Sequence, residues 1–230
     1  MSSESDNHSL QANQIEHGVY NIPIQLADSL ETQRPLLQST FIAAQRRLRD
    51  FAQNHNWQMH MKEPFAKLFC VYADKPSFDY NLLKTCGLDT GIELPSTYCA
   101  ALEQDVLMSV SPDLYRTLYP EGDEVNAFEK LLTHEMAHRL HIRILGGDEN
   151  AMGAVWFYEG FALYAAGQFE NNAPILSTSE IWDIVNDPER GSYKRYASVF
   201  QYFAGKASIQ QLIEMAVKVE FFDWLQHISG

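Results

Sequence analysis

Two histidines stand four residues apart, with a glutamate directly after the first: His134-Glu135-Met136-Ala137-His138. On a helix, positions i and i+4 lie about 40° apart, so both imidazoles can converge on one point. Glu135 lies about 60° from His138. From there it can sit beside a metal-bound water without being a ligand, the place from which a carboxylate takes the proton of metal-activated water. The local pattern predicts that helix. Asn126 followed by Glu129 reads as a capping pair. Phe128, Leu131 and Leu132 begin an amphipathic run that continues to about Leu145, and Gly146-Gly147 ends it.

A hydrolytic zinc site uses three protein ligands and one open position. The next predicted helix, about Val155 to Ala166 and closed by Gly167, carries Trp156-Phe-Tyr-Glu159-Gly160-Phe-Ala162. Twenty-one positions separate Glu159 from His138. That spacing lets the first helix finish, turn at the glycine pair and return antiparallel. Gly160, Ala162, Ala165 and Ala166 are small enough for the two helices to approach closely. A carboxylate in so apolar a run is costly to bury unless paired, and a metal would stabilise it. His134, His138 and Glu159 are therefore the candidate metal ligands, with one Zn²⁺ per chain, and Glu135 is the candidate general base.

HExxH followed by W-x-x-E-G-x-A on the next helix resembles the gluzincin branch of zinc metallopeptidases, most of all its compact peptidase-MA-like domains, over about Lys67 to Gln211. The resemblance implies the same ligand set and base. It also implies an oxyanion donor from a tyrosine on a later helix. Tyr196 is the best match, and Tyr193, three residues earlier on the same face, competes with it. Tyr158, beside the ligand, is expected to point away. Two departures stand out. Position 163, where thermolysin-like enzymes carry an Asp supporting a ligand histidine, is Leu163. His141 and Ile144 replace the Gly and His that would extend the motif into the metzincin pattern. His141 could line the cleft or bind substrate but reads rather as a helix-surface or supporting histidine, and Arg190, Lys194 and Arg195 could meet a substrate carboxylate but read rather as surface charge.

Upstream the character changes. Leu37, Phe41, Ala44, Leu48 and Phe51 predict one face of a helix over about Glu31 to His55, with Arg46, Arg47 and Arg49 on the other. Lys67 to Ala73 and Asp105 to Val110 read as strands, Ser96 to Ala100 as a third and Trp57 to Met61 as a fourth. Ser96 to Val110 is expected to line the cleft as an edge strand. Downstream, Ser177 and Glu180 cap a short helix, followed by helices over about Ser192 to Ala204 and Ser208 to His227. The expected fold is α+β and zincin-like: an N-terminal helix and a small, mostly antiparallel sheet, then a helical half carrying the HExxH helix. Residues 1–18 are expected to be a loose N-terminal segment and 19–230 a single domain.

The chain of 230 residues carries a formal charge of −13, and no basic run gives nucleic acid or an anionic membrane an electrostatic footing. Nothing reads as a signal peptide or a membrane span. Cys70, Cys86 and Cys99 are odd in number and widely spaced, which argues against a disulfide framework and for a reduced, cytoplasmic setting. The expected activity is zinc-dependent hydrolysis of peptide bonds in a peptide or protein substrate. Two alternatives are a zinc hydrolase of a non-peptide bond and a catalytically idle interaction module on a peptidase scaffold.

Overall fold

The computed structural model describes residues 13–230. Strands β1 (Asn13–Glu16) and β2 (Val19–Asn21) form an antiparallel hairpin around Gly18, whose φ of +74° favours glycine and where a Cβ would fall 3.1 Å from Met61 Cβ. Residues 13–18, expected to belong to a loose segment, are thus part of this hairpin, and residues 1–12 lie outside those described. The hairpin is fastened to the first long helix, α1 (Arg34–Asn54), by the Gln45 side chain. Its amide accepts from Tyr20 N and donates to Tyr20 O, both at 2.9 Å. Leu37, Phe41, Ala44 and Leu48 of α1 are buried, as their spacing predicts. The three arginines of its other face are paired, Arg46 and Arg49 with Glu16 and Arg47 with Glu129.

The second sheet corrects an expectation. Its strands are β3 (Ile24–Leu26), β4 (Leu68–Tyr72), β5 (Ala100–Glu103) and β6 (Val106–Val110), in the order β3-β4-β6-β5. Two of its three pairings, β3 with β4 and β4 with β6, are parallel. Only β5 and β6 run antiparallel. The sheet is thus mixed and not mostly antiparallel, because helical crossovers join the parallel pairs. α1 makes the first crossover. The second includes α2 (Lys75–Thr85), a helix not foreseen although its signals are present. The Asp74 side chain accepts from Ser77 N, and Pro76 sits in the first turn. β5 and β6 are joined by Gln104 and Asp105, both at positive φ, the two-residue turn that matches strand twist. The strand expected at Trp57 to Met61 is a 3-10 turn, and the one expected at Ser96 begins at Ala100.

After the short helix α3 (Pro112–Leu118) the chain is helical: α4 (Ala127–Ile144), α5 (Val155–Ala166), α6 (Thr178–Asn186), α7 (Tyr193–Ala204), α8 (Ile209–Ala216) and α9 (Phe221–Ser229). α5 packs on both α4 and α7. The Ser177–Glu180 capping box is formed, and Gly167 closes α5 in the left-handed conformation. The Asn126–Glu129 pair does not cap α4: Asn126 is itself left-handed without a side-chain cap, and Glu129 binds Arg47. The single helix expected over Ser208 to His227 is broken at residues 217–220. The break turns Phe221 inward to stack on Trp156, with ring centroids 6.2 Å apart. No helix among the described residues is long and apolar enough to cross a membrane.

The closeness of α5 and α7 depends on Gly160. A Cβ there would fall 2.8 Å from Phe200 Cβ. Ala at this position gains helix propensity of about 1 kcal/mol but overpacks a buried seam, which typically costs about 1–3 kcal/mol. Gly160→Ala is therefore expected to lower the unfolding free energy by up to about 2 kcal/mol, read from a denaturant midpoint. A midpoint above wild type would show that the seam has slack.

Candidate metal centre

α4 and α5 bring His134, His138 and Glu159 together. His134 Nε2 lies 3.0 Å from His138 Nε2 and 3.1 Å from Glu159 Oε2. His138 Nε2 lies 3.5 Å from the same carboxylate oxygen. A tetrahedral ion with bonds of about 2.0–2.2 Å sets its ligand atoms about 3.3–3.5 Å apart. The three separations come within about 0.3 Å of such a face. The site is buried on two sides: the side chains of His134 and Glu159 are only 7% and 3% exposed, and that of His138 is 20% exposed, toward the cleft. The three residues form a group able to hold a metal ion, as the sequence predicts.

The charges of the metal-free site oppose burial. Desolvation alone would raise the Glu159 pKa, but hydrogen bonds from His134 and His138, and their charges, hold it well below the usual carboxylate range. Burial disfavours the charged form of His134, yet the Glu159 carboxylate outweighs it and raises the His134 pKa. Glu135 is not among the three converging donors. It lines the cleft beside them, and burial raises its pKa against the pull of the two histidines. A carboxylate poised in this way is suited to accept a proton.

The contacts that support the site were not legible in the sequence, although the residues that make them were. Arg190 Nη1 lies 2.7 Å from Glu159 Oε1, the oxygen turned away from the histidines. The same guanidinium donates to the hydroxyls of Tyr193, at 2.7 Å, and Tyr158, at 3.3 Å. The cation expected at the surface is half exposed there and is also one wall of the site. Tyr158, expected to point away, has its ring 5.8 Å from that of His138 and lines the cleft. Tyr193 does the same beside His134, with ring centroids 5.9 Å apart.

Tyr196 is placed differently from the expectation. It is 3% exposed, and its hydroxyl donates to Glu189 O at 3.1 Å and accepts from Gly191 N. It therefore holds the turn that carries Arg190 and does not line the cleft. A one-turn difference along α7 decides which tyrosine faces the metal group, and periodicity alone does not resolve a choice between i and i+3. His141 is also removed from the cleft. It is wholly buried against Phe157 and Phe161, and burial lowers its pKa to about 3.

With Leu163 unable to support a histidine, the polar neighbour of His134 on the other side is Gln168, just past the end of α5. His134 Nδ1 and Gln168 Oε1 are both buried without a well-formed hydrogen bond, and both residues wall one void of about 40 Å³. The carboxamide is near enough to raise the His134 pKa. A ligating imidazole normally gives its second N–H to such an acceptor, and losing it costs about 10- to 100-fold in metal affinity. Gln168→Met is expected to show that loss in a chelator competition, with Gln168→Glu recovering it. Unchanged affinity in Gln168→Met would remove Gln168 from this role.

The cleft has a volume of about 340 Å³. One wall is the end of the sheet, Ala101, Leu102 and Glu103 of β5, and the others are α4 and the side chains of Tyr158, Arg190 and Tyr193. Arg139 ties α4 to that wall by donating to Leu102 O at 2.9 Å. Compared with known proteins, the chain matches no family model, no curated protein and no solved structure.

Proposed function

We propose that this chain is a zinc-dependent peptidase of gluzincin type with a zincin-like fold. The observation that carries the reading is the convergence of His134 Nε2, His138 Nε2 and Glu159 Oε2, with Glu135 beside them in the same cleft and outside the donor set. Two histidines and one carboxylate with an open side suit zinc. A binding module would have no use for the fourth residue.

Bound zinc would supply a Lewis acid that polarises a carbonyl and lowers the pKa of water. The remaining work falls to the chain. Glu135 takes the proton of the attacking water and returns it to the departing amine. Arg190 holds Glu159 Oε1 so that Oε2 stays turned toward the histidines. Tyr193 takes the part that the resemblance assigns to a later-helix tyrosine. Its hydroxyl accepts from Arg190, which leaves its own proton free to donate to a developing oxyanion. Burial raises the Tyr193 pKa, so that proton stays in place. β5 is the last strand of its sheet and lines the cleft, so a peptide laid beside it would gain main-chain hydrogen bonds with little selectivity.

The test is incubation of the zinc-loaded chain with a mixed peptide pool, read by mass spectrometry. New termini that vanish with a chelator and return with zinc are expected. Failure to cut any peptide, alongside turnover of a small ester or epoxide, would move the reading to a non-peptide hydrolase. Tyr193→Phe is expected to lower kcat by about 10²–10³ with metal content unchanged, whereas Tyr196→Phe should act mainly on stability. The reverse order would restore Tyr196 as the donor.

A further inference from the structure

A second hollow, of about 750 Å³, adjoins the metal cleft. It is walled by Leu82 and Leu83 at the end of α2, by Leu88, Leu94 and Pro95 of the following loop, and by Tyr119. Tyr98, Glu103, Arg190 and Tyr193 line both hollows, so these four side chains form their common boundary. Their chemistry differs. The metal cleft presents histidines, carboxylates and arginines, whereas the second hollow presents mainly aliphatic and aromatic carbon. On a chain of net charge −13, Leu88 at its rim is 54% exposed.

The size of the hollow falls within the range of ligand pockets, about 300–1,000 Å³, and exceeds what one side chain fills. An extended chain beside β5 would turn alternate side chains to the same side, about 7 Å apart. The charged groups of the hollow select against acidic residues: Glu103 and Glu121 repel them, and Arg190 is engaged by Glu159.

We propose that this hollow receives bulky apolar side chains of the substrate, so that the chain selects peptides with an apolar or aromatic segment beside the scissile bond. The proposal rests on the peptidase reading above. The loop between α2 and β5 is then the specificity element, and its leucines stay partly uncovered because the substrate covers them.

Binding, measured apart from turnover, tests it. Three fluorescein-labelled decapeptides share one Ser/Gly background and differ only in a central pair: Leu-Phe, Ala-Ala or Lys-Lys. Their affinities are measured by anisotropy on the zinc-loaded Glu135→Gln chain. The Leu-Phe peptide is expected to bind roughly ten- to a hundredfold tighter than Ala-Ala, and Lys-Lys no better than Ala-Ala. Leu88→Asp and Leu94→Asp are expected to erase the preference with zinc content unchanged. Equal affinities, tighter binding of Lys-Lys, no binding of any peptide, or a preference that survives both substitutions would overturn the proposal. Hydrolysis by the wild-type chain is scored separately. Its absence, with the binding preference intact, would reject the peptidase reading and leave the apolar hollow standing.

Discussion

Glu135→Gln is expected to leave the fold and the bound metal intact while lowering turnover by about 10³-fold or more, within or above the usual range for a lost general base. The substitution keeps size and shape and removes only basicity. The three donors converge without Glu135, so metal content should not change. Of the other carboxylates that line the cleft, Glu159 is committed to the histidines and Arg190, Glu103 lies beside Arg139, and Glu149 stands on the turn after α4. Steady-state kinetics with elemental analysis on the same sample decides the matter. Undiminished turnover in a zinc-replete variant would reject Glu135 as the base.

The second large effect concerns the metal. About one zinc per wild-type chain is expected by elemental mass spectrometry, lost in His138→Ala and in Glu159→Ala. Zinc at a hundredfold excess over its dissociation constant would stabilise the native state by about 2.7 kcal/mol. In a chain of this length that corresponds to a rise in Tm of roughly 5–11 °C, present in wild type and absent from both variants. The pH dependence has a definite sign. His134 must be neutral to ligate, and its pKa in the metal-free chain is raised above the usual 6.5. Proton competition therefore begins above pH 6.5: affinity is full above the raised pKa and is lost as pH falls through it. A wild-type chain that takes up no metal even on reconstitution would shift the weight to the interaction module.

How much of this was legible depends on the range of the interaction. The HExxH helix, the helix of Glu159 and the Ser177–Glu180 box are set by contacts three to four residues apart, and all three were readable as written. The direction of the β3, β4 and β6 pairings was not. It depends on what lies between the strands, and Asp74-Lys-Pro-Ser77, the start of the missed crossover helix, sits between two apolar runs that draw attention to themselves. The break at residues 217–220 was hidden for another reason: it goes with a contact of Phe221 on Trp156, far away in sequence.

The amino-acid sequence by itself determined the donor set, since i, i+4 histidines on a helix followed by a carboxylate on its antiparallel neighbour leave little freedom in where the three side chains meet. It also determined the net acidic charge and the ends of α5 and α6. Only the tertiary structure decided which groups support that set. Arg190 reaches Glu159 from 31 positions away along a turn pinned by Tyr196, Tyr193 and not Tyr196 faces the cleft, and Gln168 stands where Leu163 cannot serve. The physical reason is common to all three. Each position depends on how α7 and the end of α5 pack, with Gly160 admitting Phe200, and packing between elements is not written in the periodicity of any one of them.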